Sequence, residues 1–356
     1  MKTPTYTITN LILSYIVKYE LAIKDITHYP LPEKYLLPLQ EKYGAEDLNA
    51  LGDLVGNTIG YNKSLQVQRG QELASQRKNL QLFINIRNAK DYINSYTTNS
   101  SLKPSIELSS HLNKLAMKGL VDDWDLAKLK TFSEKPNEIY DTWFKMRDYY
   151  PHIDSASHFN EIFEWIKDGK DSNHKLIKFA ALTYEFIDKA PYFVGNQITA
   201  ILTLEILAKQ YGYNPDNLLP FFKSINNISQ DLLDAFKISK SKRDLTTFIE
   251  AFLYAISLTA IDVSRELKDT YTKKVKKQGA LEISLNPRQI KVMDYITLNH
   301  KITRSKYTKM MGVSFMTSYR DLQEMVDKGY IKQKGQGRGT FYVLSKEQED
   351  IVLEIE

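Results

Sequence analysis

Apolar residues recur at three- and four-residue steps near the start of the chain, at Ile8, Ile12, Tyr15, Ile16, Tyr19, Ile23 and Ile26. That spacing predicts an amphipathic helix, opened by the polar side chain of Thr7 or Thr9. Pro30, Pro32 and Pro38 predict a break, and Gly56 to Gly60 a second turn. A helical pattern then runs from about 64 to 95, a loop from 97 to 105 (TTNSSLKPS), and another helix from 106 to 117. Residues 131–153 carry Pro136, alternating aromatics around Tyr140 to Met146, and Pro151, which fits a short hairpin. Helical periodicity returns at about 156–168, 174–188, 196–211, 215–236 and 244–270. The charged run KKVKKQG, residues 273 to 279, has the composition of a solvated connector.

Beyond the connector the grammar changes. LNPRQIKVMDYITLNH predicts one helix, with Pro287 near its start and Ile290, Val292, Met293 and Ile296 on its inner side. The next residues give a helix, a turn at Gly312, and a second helix from about Ser314, the spacing of a helix-turn-helix. IKQKGQGRGTFYVL follows with two β-like runs around a Gly-rich basic tip, the form of a wing. In such a module the second helix lays its first turns in the DNA major groove. Here those positions are Ser314, Phe315, Thr317, Ser318 and Arg320, with Lys334 and Arg338 on the wing placed for phosphates or the minor groove. Only one Arg stands near the start of that helix, and Phe315 and Met316 would suit a protein partner equally.

Charge sharpens this division. The chain carries a formal +5, but residues 284 to 344 hold eleven basic residues against four acids, a net +7. The tail 345–356 is −4, which leaves +2 for the first 283 residues. Basicity belongs to the small C-terminal module, where nucleic acid would bind. Cysteine is absent, which excludes disulfides, cysteine nucleophiles and thiolate metal sites. The opening residues MKTPTYTITN lack a signal-peptide pattern, and no stretch reads as about 18 uncharged apolar residues, so the expectation is a cytoplasmic chain without a membrane partner.

The stretch KAPYFVGNQI, residues 189 to 198, is the candidate for chemistry. A Pro and an aromatic precede a Gly-Asn pair at the start of an apolar helix, a common place to hold a phosphate. Yet no Lys, Arg, Asp, Glu or His stands between Ala190 and Ile201. An Asn at a helix start also has an ordinary capping role.

Residues 174–213 resemble the core of the Fic family, whose signature is H-P-F-x-(D/E)-G-N-G-R-x-x-R. Residues 285–344 are similar to the winged helix at the C-terminus of many such proteins. The first 39 residues resemble their N-terminal helix and proline-rich turn, and LVGNTIGYNKS resembles their inhibitory-helix region, usually I-E-G-N. NEIYDTWFKM (137–146) sits where the substrate-docking flap would be, and DLTTFIEAFLYAIS matches the following helix. An active member transfers AMP from ATP to a protein hydroxyl, with His as base, an acid holding Mg²⁺, and Gly-Asn-Gly with two Arg binding phosphates. Carried over by position, the resemblance places Ala190 at the His and keeps Pro191, with Tyr192 at the Phe. Val194 stands at the acid, Gly195 and Asn196 survive, Gln197 replaces the last Gly, and Ile198 and Ile201 replace the arginines. In self-inhibited members a Glu pairs with the second Arg. The corresponding positions here are Val55 and Ile201, both apolar, so the resemblance predicts a hydrophobic contact between them.

The fold expected is therefore mainly α: a Fic-fold helical domain with a small β-hairpin flap, followed by a winged helix-turn-helix (α+β) domain. The expected divisions are an N-terminal helical region over 1–105 with the inhibitory-like segment near 51–60, a Fic-like core over 106–272, a linker over 273–283, the winged helix over 284–345 and an acidic tail over 346–356. The expected function is a catalytically degenerate, regulatory Fic-fold protein that binds DNA through its winged helix. No catalytic residue of the motif is intact, no metal ligand remains, and Gly195 and Asn196 are the weak candidates for nucleotide phosphate. No cofactor is expected. The alternative is a divergent enzyme that still moves AMP or a related group from ATP and Mg²⁺ to a protein hydroxyl. A third reading is a scaffold in which the Fic groove holds a protein or peptide, and a homodimer is left open.

Overall fold

The computed structural model describes residues 4–71, 77–95, 103–130, 154–276 and 285–345. Contacts divide the chain into two compact units, residues 1–268 and 269–356. The hairpin expected over 131–153, residues 277–283 of the expected linker and the tail 346–356 lie outside the described residues.

Unit 1 is built of helices. α1 (Asn10–His28) starts where Thr9 accepts a hydrogen bond from the Ile12 amide, and it buries Ile12, Ile16, Tyr19, Ile23 and Ile26; Ile8, expected on the same stripe, precedes the helix and is 52% exposed, and Tyr15 is half-buried. α2 (Glu33–Val55) runs straight through Pro38, against the break expected there. Pro38 is exposed, so the bond it forfeits lies on the outer face while Tyr35, Leu39 and Tyr43 on the inner face anchor the helix. The helical run expected from 64 to 95 is instead α3 (Tyr61–Gln68) and α4 (Arg77–Ser95), with Gly70 in the left-handed conformation between them. α5 (Ile106–Met117), α6 (Ser155–Lys167), α7 (Lys175–Lys189) and α8 (Asn196–Gln210) follow the sequence pattern closely. The stretch 215–236 breaks at Pro220 into a short 3₁₀ turn, α9 (Phe221–Asn226) and α10 (Ser229–Lys242).

α8 is the centre of the unit. Every residue from Asn196 to Ala208 is buried, and α4, α5, α7 and α9 pack around it. A helix buried on every face is held by the helices around it, with its few polar side chains partnered inside, as Glu205 is with Lys90. α11 (Thr246–Thr270) closes the unit and buries Phe248, Ile249, Phe252, Leu253, Ile256 and Val263. Its segment Thr246–Lys273 is the one described helix whose length and composition would span a membrane, and 56% of its apolar window is buried inside the protein. The same apolar residues serve as a core face.

Unit 2 contains α12 (Pro287–Asn299), α13 (Arg304–Met311), α14 (Phe315–Asp327) and an antiparallel ribbon of β1 (Ile331–Lys334) and β2 (Phe341–Leu344). In register, Ile331 pairs with Leu344 and Lys334 with Phe341. Ile302 makes an additional bridge to Tyr342. Val292, Ile296, Ile302, Tyr307, Leu322 and Met325 form its core. α12 begins with a capping box, the Asn286 side chain taking the Gln289 amide while Gln289 returns a bond to the Asn286 backbone.

Candidate functional site

The 190–198 turn is fixed from three sides. α7 ends at Lys189, and Ala190 reverses the chain with φ 42°, its amide donating to the Phe186 carbonyl at 3.1 Å. The next residues pair with the strand-like segment 128–130. The Lys130 amide donates to Pro191 at 2.8 Å and the Phe193 amide to Lys128 at 2.9 Å. The Tyr192 ring stacks on Phe186, and its buried hydroxyl meets Ser110 at 3.1 Å and the Ile106 carbonyl at 3.3 Å. Burial pushes that phenol well above its ordinary value.

Gly195 and Asn196 have structural work in this turn. Gly195 caps α8 with φ 72°, a left-handed conformation that favours glycine. A Cβ there would lie 2.7 Å from the sulfur of Met117, which packs directly against it. Asn196 is the first residue of α8 and not its cap. Its side-chain oxygen accepts from the Tyr192 amide at 2.7 Å and its NH₂ donates to the Tyr192 carbonyl at 3.0 Å. Asn113 of α5, wholly buried, secures the same loop. Its NH₂ donates to the Val194 carbonyl at 2.8 Å and to Thr199 at 3.0 Å, and its oxygen accepts from the Ala127 amide at 2.9 Å. Asn113 escaped the sequence reading, because nothing local ties residue 113 to a turn eighty positions later.

The side chains lining this turn are apolar and enclosed. Ala190, Val194, Ile198 and Ile201 are 5, 1, 0 and 2% exposed. The neighbouring carboxylates are engaged elsewhere. Asp188 lies 2.5 Å from Lys189 and 2.9 Å from Lys240, and Glu185 lies 2.9 Å from the His158 ring. Burial would raise the Asp188 carboxyl, but the two ammonium groups outweigh it and hold the group below its ordinary value. Val55 is the half-buried last residue of α2, and Ile201 lies in the second turn of buried α8. Among the described residues no group of three or more His, Cys, Asp or Glu side chains is disposed to hold a metal ion.

In unit 2, Ser314 caps α14, its hydroxyl accepting from the Thr317 amide at 3.1 Å. Phe315, Met316 and Tyr319 stand 54, 61 and 41% exposed on the first turns of that helix. The Arg304 guanidinium lies over the Phe315 and Tyr319 rings at 4.3 and 5.4 Å. Arg320 and Lys334 are exposed, as are Lys306 and Lys309 of α13. Ser318 is different. It is buried, and its hydroxyl bonds Thr308 at 2.8 Å and the Phe315 carbonyl at 3.0 Å, so it joins α13 to α14 and offers nothing to an outside partner. Arg338 falls in the 3₁₀ turn Gly337–Gly339, and its side chain lies outside the described residues. Tyr319, one helical turn beyond Phe315, completes the exposed cluster and was legible only through that i, i+4 spacing.

No protein-family model and no curated protein matches the chain. Solved structures do. A Fic family protein from Desulfovibrio desulfuricans G20 superposes over 97% of this chain and 98% of its own, with a TM-score of 0.64 at 15% identity. A Fic domain containing signaling protein from Bacteroides thetaiotaomicron VPI-5482 matches 74% of this chain and 98% of its own, with a TM-score of 0.56 at 15% identity. Fic-1 from C. elegans matches 70% of this chain and 71% of its own, at 14% identity and a TM-score of 0.55. The chain therefore has a Fic fold.

Proposed function

We propose that this chain is a Fic-fold protein that has lost nucleotide transfer chemistry and acts by binding DNA through a C-terminal winged helix. The observation that carries the first half is the enclosure of Ala190, Val194, Ile198 and Ile201 in apolar core at the positions where the Fic motif has its base, metal acid and two arginines. General-base catalysis is worth about 10²–10⁴ in rate, and charge stabilisation at least as much; alkyl groups supply neither. The two surviving letters, Gly195 and Asn196, are accounted for by backbone conformation, by Met117 and by the Tyr192 hydrogen bonds. ATP with Mg²⁺ does not fit this set of residues: Ala190, Val194, Ile198 and Ile201 offer neither a cation to phosphates nor a carboxylate to a metal.

The DNA half rests on the helix-turn-helix spacing of α13 and α14, the ribbon after them, and the exposed Lys306, Lys309, Arg320 and Lys334. Ser314, Phe315, Thr317 and Arg320 are the helix positions for the groove, Lys334 and Arg338 the ribbon positions for the backbone. The test is titration of labelled duplex DNA with the full chain at two salt concentrations. About four phosphate contacts give a slope near −3.6 in log K against log salt, so affinity falls about a hundredfold between 50 and 200 mM. Binding that is absent at low salt, or insensitive to salt, overturns this half. The exposed Phe315, Met316 and Tyr319 favour a second reading in which the same helix face takes a protein, and that reading predicts salt-insensitive capture of a polypeptide.

A further inference from the structure

The first two turns of α14 present mostly apolar side chains. Ser318, Asp321, Leu322 and Met325 turn inward, which leaves Phe315, Met316, Tyr319 and Arg320 as the exposed side chains of residues 315–320. The hydroxyls beside them are engaged within the helix. Ser314 accepts from the Thr317 amide at 3.1 Å and lies 3.0 Å from the Thr317 hydroxyl, and Thr317 is half-buried. The stretch SFMTSYR, residues 314 to 320, contains no Asn, Gln, Lys, Asp or Glu. Arg320 is its one side chain with the paired donors that read a guanine edge.

Charge indicates what this apolar cluster meets. The Arg304 guanidinium of α13 lies 4.3 Å from the Phe315 ring centre and 5.4 Å from that of Tyr319, and Lys306, Lys309 and Arg320 are exposed on the same two helices. A protein groove apolar enough to enclose Phe315 and Met316 would strip water from that guanidinium, whereas a DNA groove sets phosphates near it. On the major-groove edge guanine, adenine and cytosine show donors and acceptors, and thymine adds an apolar group, its 5-methyl. Packing Phe or Met on that methyl removes apolar area from water. We propose that α14 selects thymine, with Phe315 and Met316 packing on 5-methyl groups in the major groove. This rests on the DNA reading and adds to it the base selected and the side chains that select it.

The test begins with duplexes that the full chain enriches from a random library at low salt. Each is remade with deoxyuridine for every thymidine, which deletes the methyl and keeps the base pair. By fluorescence anisotropy the native chain binds the deoxyuridine duplex about tenfold more weakly, each buried methyl being worth about fourfold. The variant carrying Phe315→Ala and Met316→Ala binds the thymidine duplex about tenfold more weakly and no longer distinguishes the two. Both side chains are exposed, so its helicity by circular dichroism matches the native chain. Lys334→Ala weakens both duplexes alike and keeps their ratio. Equal native affinity for the two duplexes, or enriched sequences without shared thymines, overturns the proposal and leaves DNA binding standing. A ratio that survives in the double variant also overturns it, because the methyl then acts through DNA shape. Full DNA affinity in that variant assigns the face to a protein partner instead. Absence of salt-sensitive binding to any duplex overturns the DNA reading itself, and this proposal with it.

Discussion

Gly195 carries two constraints at once, a positive φ and a sulfur packed where its Cβ would be. Gly212 has the first constraint without the second, since nothing lies within 4 Å of its Cβ position. Alanine at either site incurs the left-handed penalty of about 1–2 kcal/mol. Gly195→Ala adds a clash with Met117 and is expected to cost about 2 kcal/mol more than Gly212→Ala in urea unfolding. Equal costs would mean that Met117 moves aside freely and that the turn is less filled than described. The sequence marked Gly195 and Asn196 through a phosphate-binding resemblance, and the residues that use them, Met117 and Asn113, sit on a helix far away in sequence. A second pair tests the correspondence with the self-inhibited proteins. Val55 and Ile201 are proposed to pack together. A double-mutant cycle of Val55→Ala and Ile201→Val should then show coupling of about 0.5 kcal/mol or more. Simple additivity would place them apart.

Helices with one clear apolar stripe were legible from periodicity, α1 and α12 above all, except that Ile8 precedes α1 and is exposed and Ile290 is only partly buried. The misread elements share a cause. Pro38 was read as a break because a proline's missing donor is visible in sequence, whereas the inner-face packing that carries α2 across it is not. Pro220, which does break the chain, lies within apolar residues whose spacing alone suggested one helix. In unit 2 the α12–α14 junction depends on Asp321, which accepts from Arg288 at 2.8 Å and from the Tyr307 hydroxyl at 2.6 Å. Burial would raise this carboxyl, but those hydrogen bonds and the guanidinium charge hold it below its ordinary value. A group depressed in the folded state stabilises fully above its unfolded pKa, about 3.9 for Asp. Unit 2 should therefore keep its helicity down to about pH 4 and lose stability as the pH falls further. Circular dichroism of the native chain and of Asp321→Asn tests this: the variant is less stable at neutral pH and its stability changes less below pH 4. A native chain whose acid transition is unchanged by the substitution would remove Asp321 from that role. At the same scale, Lys334→Ala on the ribbon should reduce the DNA salt slope by about 0.9, the contribution of one phosphate contact.

Across the whole molecule, charge and core are divided between the units. The basic excess lies in the C-terminal module, and the Fic fold lies in helices whose central member, α8, is enclosed on all sides. That enclosure predicts that Ile198→Arg or Val194→Asp would bury an unpaired charge at a cost of several kcal/mol. The fold was readable because the order of elements survived along the chain, while the candidate site became clear only when Met117, Asn113 and the 128–130 segment were seen around the turn. The most direct measurement of the central claim is calorimetric titration of the native chain with ATP and Mg²⁺. The account predicts no saturable heat up to about 1 mM ATP, a free energy of binding weaker than about −4 kcal/mol. Saturable binding at about 10 µM or tighter would contradict it, and with it the reading that this Fic fold has lost its nucleotide.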